Sequence, residues 1–585
     1  MSSDTRRGPV TLVQALEIVG RRDRDARAPF SVRLACGFEA LHLRTFLTAE
    51  LLARLPLARV EVHTGLFDDL VGTIADRGRS AVDAIAVVIE WPDIDPRCGF
   101  RRLGGWRPSD VADIVEQADR QLARLQRAIL DAAGPVRLVC CLPSLPLPPL
   151  FPHAPEQSGA DELRLRSAVA AFGARIARHD GVVVCSSQRL DQWSPPAARR
   201  DLATELIAGF PYTVAHASHV AVQLAALIAS PARKKGLITD LDDTLWTGSV
   251  GEVGAGGVSW SGPDGHRHAV YQQLLASLAD SGVLIGVASR NDPELVAETL
   301  RRPDLLLEPD TMFPVEAHRG PKSAAISRIL EIWNVAADAV VFVDDAPLEL
   351  DEARHALPGL ETVRFPADAG TELIPFLERL RATFGTGVLT AEDGLRLRSV
   401  RSGEAYRRDA RDRARDPDDF LASVGGELAF TGVDGDPARA LELINKTHQF
   451  NLNGRRWTAA ALAAAVAPGP SRLITAAYRD RYGPLGMVAA LIVRPGGAQL
   501  EIDTWVMSCR AFSRRVEHHC LRYLFDTFDV DEVTTTYRMS ARNAPVRDFL
   551  SALLGEEPAE RVRVTRATFD ERAPALVHRI IETGE

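Results

Sequence analysis

Short apolar runs rich in β-branched residues recur through the first part of the chain, separated by segments whose apolar residues lie three and four apart. In the N-terminal block they are SVRLACGF (31–38), ARVEVHTG (58–65), AIAVVIEW (84–91), VRLVCCLP (136–143) and GVVVCSS (181–187). Strands buried on both faces carry such runs, and the helices between them cross over from one strand to the next. A parallel α/β sheet is therefore expected, with sites on the loops at the carboxyl ends of its strands.

The pattern divides the 585 residues into blocks. Residues 1–230 form the first. Residues 231–380 repeat the logic in GLITDLDDTLW, VLIGVASRN and AVVFVDDAP. Residues 381–424 are rich in Arg and Asp and are expected to form a charged, solvated helical connector. Residues 425–585 read as α+β: a helix over ARALELINKTHQF, strands at RLITAAYRD, GMVAALIVRP and AQLEIDTWVM, a helix over RRVEHHCLRYLFDTF and a strand at EVTTTYRM. A hydrophobic fraction of 46% and a charged fraction of 25% exclude wholesale disorder. No apolar run reaches 18 residues, so no membrane helix is expected. A net charge of -9 argues against a protein that coats nucleic acid. Seven cysteines without paired spacing, and no apolar segment after MSSDTRRGPV, fit reduced thiols and a cytoplasmic location.

The densest chemistry lies in Ile238-Thr239-Asp240-Leu241-Asp242-Asp243-Thr244-Leu245. A hydrophobic strand delivers Asp240, Asp242 and Thr244 into the turn at its carboxyl end. Carboxylates so placed call for a cation, and Mg²⁺ suits oxygen ligands and a bound phosphate. Asp240 is then a candidate nucleophile towards phosphorus, and Asp242 a candidate acid and base. Three companions follow in order. Ser289 ends VLIGVAS, two residues before Asn291, and offers a hydroxyl to phosphate. Lys322, in Gly320-Pro321-Lys322-Ser323, offers an ammonium to developing phosphoryl charge. Asp344 and Asp345 follow VVFV and complete the cation's shell. Lysine occurs only four times against 65 arginines, so a lysine kept here hints that a compact ammonium is required. The 49 residues from Asp240 to Ser289 hold a glycine-rich flap (Gly248, Gly251, Gly254, Gly256, Gly257) and one helix, which leaves no room for a cap domain. An open site favours a bulky or tethered substrate.

These four motifs resemble the haloacid dehalogenase superfamily. KKGLITDLDDTLWTGSVGEVG, ASRNDPELV, FPVEAHRGPKS and FVDDAPLEL narrow the resemblance to its FkbH-like branch. GFPYTVAHASHVA, INKTHQFNLNGRRW and DTWVMSCRAFSRRVE extend it over the flanks, to nearly the whole chain from about residue 30. The resemblance implies an uncapped Rossmann-like central domain. It implies a Mg²⁺ site built from Asp240, Asp242, Asp344 and Asp345, catalysis by Asp240, Asp242, Ser289 and Lys322, and substrate contacts from Thr244 and Asn291. It also implies an activity: a glyceryl unit passes from 1,3-bisphosphoglycerate, a phosphorylated three-carbon substrate, to the phosphopantetheine arm of an acyl carrier protein and is dephosphorylated, in polyketide or related biosynthesis. The alternative is a stand-alone phosphatase with passive flanks. Two departures stand out. Lys235-Gly236-Leu237 lacks the thiol that the family often carries there, and Asp243 and His448 stand where the family often has Asn.

The N-terminal sheet resembles a flavodoxin-like SGNH-hydrolase domain. Its first strand ends in Cys36-Gly37-Phe38-Glu39 without a serine, and neither His216 nor His219 has an aspartate three residues before it. A degenerate, binding domain is expected, with Cys36 and His216 as the sharper pairing and Trp91-Pro92-Asp93-Ile94-Asp95 lining the same face. The C-terminal block resembles a GNAT acyltransferase, but Cys509-Arg510-Ala511-Phe512-Ser513-Arg514-Arg515 has no glycine where a pyrophosphate loop is expected. Arg510 and Arg514 are candidates to grip a carrier-arm phosphate, and Cys509 to accept an acyl group. His518-His519 reads as a half-exposed helix face.

Overall fold

The computed structural model describes residues 10–582 except 21–27, 77–81, 102–105, 134–135, 231–232, 369, 386–390, 414–416, 433–436, 448, 458, 467–469, 498 and 541–542. His448 lies outside the described residues. The chain forms two compact units, Met1–Ala232 and Arg233–Glu585, and a mixed α/β fold throughout. None of the described helices is long and apolar enough to cross a membrane.

The first unit holds five parallel strands, β1 (Ala28–Cys36), β2 (Ala58–Thr64), β3 (Ala84–Val88), β4 (Arg137–Cys141) and β5 (Val182–Val184), in the order β2-β1-β3-β4-β5. Alternate residues serve opposite cores. Val32, Leu34, Ala86 and Val139 pack under the helices Leu41–Arg54 and Val214–Ile228. Ala35, Ile85, Val87 and Leu138 pack under Val111–Ala132 and Ala160–Ile176. Both faces are covered over β3 and β4, which is why those strands read as continuous apolar runs, while the edge strand β2 is largely exposed.

The second unit opens with another five-stranded parallel sheet: β6 (Gly236–Thr239), β7 (Leu284–Ser289), β8 (Met312–Ala317), β9 (Val340–Asp344) and β10 (Glu361–Arg364), in the order β10-β9-β6-β7-β8. β6 is central and fully buried. Between Asp240 and Ser289 lie only a loop, a short helix (Val250–Val253) and the helix Gly262–Asp280, so no cap domain is inserted.

The stretch expected to be a connector holds the helices Ala391–Arg413 and Pro417–Ser423. Beyond them comes a larger sheet of β11 (Glu427–Thr431), β12 (Phe450–Asn451), β13 (Arg472–Asp480), β14 (Gly483–Pro495), β15 (Gln499–Met507), β16 (Glu532–Thr536), β17 (Arg561–Thr565) and β18 (Arg579–Glu582). Its order is β17-β16-β15-β14-β13-β11-β18, with β12 paired to β15. The helix expected over ARALELINKTHQF ends at Lys446, and Phe450–Asn451 turns into a strand instead. The buried Phe450 packs there among Trp505, Phe512 and Phe549.

Candidate functional site

β6 carries the backbone of the site to the sheet edge. Asp240 continues its ladder, its amide donating to the Val343 carbonyl (2.9 Å). Asp344 ends the neighbouring β9, and Lys322 opens the helix Lys322–Trp333 behind Pro321. The three side chains meet. Lys322 Nζ lies 2.8 Å from Asp240 Oδ1 and 2.6 Å from Asp344 Oδ2, with side-chain exposures of 7%, 8% and 0% respectively. Burial pushes Asp240 up to about 7, with Lys322 opposing and Asp344 adding to the rise. Burial also raises Asp344, against the pull of Lys322. For Lys322 burial acts downward, but the two carboxylates outweigh it and the ammonium is raised. One ammonium thus faces two buried carboxylates, with the half-buried Asp345 close to them.

Carboxylate oxygens of Asp240, Asp344 and Asp345 all lie within 4.8 Å of one another, the one such cluster among the described residues. Three carboxylates against one ammonium leave an excess of negative charge in a dry place, which a divalent cation offsets. An all-oxygen donor set suits a hard ion such as Mg²⁺. The residues present therefore fit a metal.

Asp242 was expected among the ligands, but its carboxylate lies outside that cluster. Oδ1 accepts from the Trp246 indole (2.9 Å) and the Val250 amide (3.1 Å), and Oδ2 from Asn291 Nδ2 (3.0 Å). The backbone explains the divergence. Asp243 adopts a left-handed conformation (φ 51°), breaking the strand alternation immediately after Asp242. Asp and Asn both tolerate that conformation, so either residue serves at 243. The Asp243 side chain caps the turn by accepting from the Gly248 amide (2.9 Å).

Asn291 and Thr244 change roles as well. Asn291 Nδ2 also donates to Ser289 Oγ (3.1 Å), so it ties Asp242 to Ser289. Thr244 is fully buried; its hydroxyl lies 3.3 Å from Asp345 Oδ1 and accepts from the Asp345 amide (3.1 Å). It holds Asp345 in place instead of reaching substrate. His268 supports the same loop through its contact with the Thr244 carbonyl (2.9 Å), and burial lowers its pKa, which leaves a neutral ring. Sequence reasoning missed His268 and the Trp246–Asp242 bond. A tryptophan four residues after Asp242, in a turn, was the available signal.

The C-terminal expectations need correction. Arg514 is a structural group: its Nε donates to Asp480 Oδ2 (3.0 Å), its Nη1 to the Arg510 carbonyl (2.9 Å), and its guanidinium lies 3.9 Å from the Tyr406 ring centroid. Its side chain is 3% exposed and that of Asp480 is 0% exposed, so it cannot grip a carrier-arm phosphate. Arg510 is half-buried, with Nε 3.1 Å from Ser508 Oγ. The loop takes left-handed backbone at Ser513 (φ 64°) and Arg515 (φ 55°) without glycine, and Tyr406 and His578 bond its carbonyls at Ser513 and Arg514. His519 is buried and stacks on His578, with burial pushing it down to about 3, so it is no exposed face. Burial raises the Cys509 thiol, while Lys235, Arg510 and Arg407 oppose that rise. Arg514→Ala should cost about 3–5 kcal/mol of stability by stranding Asp480. A melting curve tests this, and an unchanged midpoint would return Arg514 to the candidate binding residues.

In the first unit, His216 pairs with Ser144 Oγ (2.9 Å) and Ser194 Oγ (2.9 Å) and not with Cys36. Cys36 contacts the Phe38 carbonyl, and burial pushes its thiol up to about 12, so the Cys36–His216 pairing fails. Ser144 also donates to Glu90 Oε1 (2.6 Å). Trp91, in the short helix Trp91–Ile94, lines a cavity of about 340 Å³ with Ser144.

No known family profile matches this chain, and no curated protein matches it. Among solved structures it is similar to the N-terminal part of the protein BF1531 from Bacteroides fragilis, which contains a phosphatase domain and is complexed with Mg. The TM-score is 0.53 at 18% identity, over 65% of this chain and all of that one. The likeness is one of fold.

Proposed function

We propose that residues 231–380, which hold the sheet β6–β10, form a Mg²⁺-dependent phosphoryl-transfer domain of the haloacid dehalogenase type that works as a phosphatase. The observation that carries the reading is Lys322 held between Asp240 and Asp344, with Asp345 adjacent and Asp242 fixed by Trp246, Val250 and Asn291. A cation held by Asp240, Asp344 and Asp345 would supply charge neutralisation for an incoming phosphate. Asp240 attacks phosphorus and forms an aspartyl phosphate as the leaving oxygen departs. Asp242 gives a proton to that oxygen and later takes one from the water that releases phosphate. The Lys322 ammonium and the Ser289 hydroxyl meet the phosphoryl oxygens. The fold of the Mg-complexed Bacteroides fragilis phosphatase domain supports the same reading.

The finer reading is the FkbH-like one: transfer of a glyceryl unit from 1,3-bisphosphoglycerate to a phosphopantetheinylated acyl carrier protein, followed by dephosphorylation. Sequence resemblance and the uncapped site support it. The phosphatase-only alternative is favoured by Lys235-Gly236-Leu237, which has no thiol. Incubation with 1,3-bisphosphoglycerate and the loaded carrier, read by intact mass, separates the two. A carrier heavier by a glyceryl group supports transfer; free phosphate with an unchanged carrier leaves the phosphatase alone.

Metal removal gives a second test. Exhaustive chelation should abolish phosphate release, and added Mg²⁺ should restore it and raise the melting temperature, since a ligand bound only by the folded state stabilises it. Full turnover in chelator would contradict the metal assignment.

A further inference from the structure

We infer that Cys141 and Cys185 form a reversible dithiol–disulfide site at the edge of the first unit's sheet, a modification site separate from the phosphatase chemistry. The register supplies the geometry. Cys140 pairs with Val184 on the parallel strands β4 and β5, and the Cys185 amide donates to the Cys140 carbonyl (2.8 Å), so Cys141 and Cys185 are the next neighbours along the same ladder. Adjacent strands lie about 4.8 Å apart, within the roughly 4.4–6.8 Å between Cα atoms that a disulfide spans. Both side chains face one way: Cys141 and Cys185 belong to the core under Val214–Ile228, while Cys140 belongs to the core on the opposite face. Contact with Cys185, and then burial, raises the Cys141 thiol, as expected for sulfurs that touch.

Access is the second, independent observation. Both cysteines line the cavity of about 340 Å³ that Ser144 also lines. A small oxidant entering there meets two thiols already side by side. The remaining five cysteines do not line it.

The oxidant required is a low-molecular-weight disulfide. Cys141 already donates its S–H towards the Leu142 carbonyl (3.5 Å), so Cys185 makes the first attack. Its thiolate breaks the oxidant's S–S bond, forming a mixed disulfide and releasing one thiol. The Cys141 thiolate then displaces the second thiol and closes the Cys141–Cys185 bond. Two protein thiols lose two electrons, the oxidant gains them, and the two thiol protons leave on the released thiols. The cross-link ties together the ends of β4 and β5, which flank the cavity.

The test uses the full chain, reduced and then equilibrated in glutathione buffers of rising oxidised fraction. Free thiols are alkylated and mapped by peptide mass. The expected result is loss of two alkylatable thiols per chain, both on a cross-linked Cys141–Cys185 peptide pair, and their return on reduction. In Cys141→Ser, Cys185 should instead hold a stable glutathione adduct. If that variant does not fold, the wild-type map decides alone. Full alkylation of both cysteines at the most oxidising setting, or a cross-link involving any other cysteine, would overturn the inference.

Discussion

Asp240→Asn should lower phosphate release by at least about 10³-fold, on the scale seen when a catalytic nucleophile is removed, while the protein stays folded. The amide keeps the shape of the carboxyl group but cannot form the bond to phosphorus. Lys322 keeps its 2.6 Å contact with Asp344, so no buried cation is stranded. The effect on stability has a definite sign. Asp240 is raised from its ordinary value to about 7 in the folded protein. The folded state therefore binds more protons than the unfolded state between about pH 4 and 7, and this group makes metal-free stability fall as pH rises through that window. The neutral amide removes that cost. In chelator, the variant should melt higher than the parent, with a gap that widens from pH 5 to 7. Added Mg²⁺ should narrow the gap, because a cation at this site stabilises the carboxylate and has less to hold in the variant. Wild-type turnover in the folded variant would remove Asp240 from the mechanism.

Lys322→Arg should lose at least about tenfold in phosphate release, about 1.4 kcal/mol at the barrier, and up to about 10³. Composition alone suggests that a position needing only positive charge would carry one of the 65 arginines. The geometry now gives the reason. The ammonium sits between two carboxylate oxygens at 2.8 and 2.6 Å in a place where the side chains are 8% exposed or less. A planar guanidinium is larger and spreads its donors along a fixed fork, so it meets both partners only by pushing them apart. Overpacking of this kind typically costs about 1–3 kcal/mol. The surroundings of Lys322 are closed, so the melting temperature of the variant should fall along with its rate. An arginine variant as fast and as stable as the parent would mean that Lys322 supplies charge and nothing more.

In the parallel sheets the strands buried on both faces were legible: GLIT, LIGVAS and VVFVD need no partner to be recognised as strands, whereas the half-exposed β8 and β10 carry no such run and were not read as strands. The edges of the last sheet were not. Arg561–Thr565 and Arg579–Glu582 are short, and their apolar residues alternate with or give way to arginine, a weak signal. β12 is two residues long and continues a helical pattern, so only its place beside β15 identifies it as a strand. In the site, Asp240, Lys322 and Asp344 could be brought together from sequence because strand ends and a helix start converge on one sheet edge. The side chains of Asp242 and Thr244 could not, because the left-handed residue between them redirects the backbone. Arg514 read as a ligand group for want of its partner: Asp480, 34 residues earlier, meets it only once β13 is folded.

The most direct test of the account is to trap the covalent intermediate. A phosphate-ester substrate is mixed with the protein and Mg²⁺, quenched within a turnover and reduced with borohydride, which converts an aspartyl phosphate to homoserine; peptide mass then locates the change. The account predicts reduction at Asp240 alone, absent in chelator and in Asp240→Asn. Phosphate release with Asp240 unmodified, or a trapped phosphate on any other residue, would contradict it.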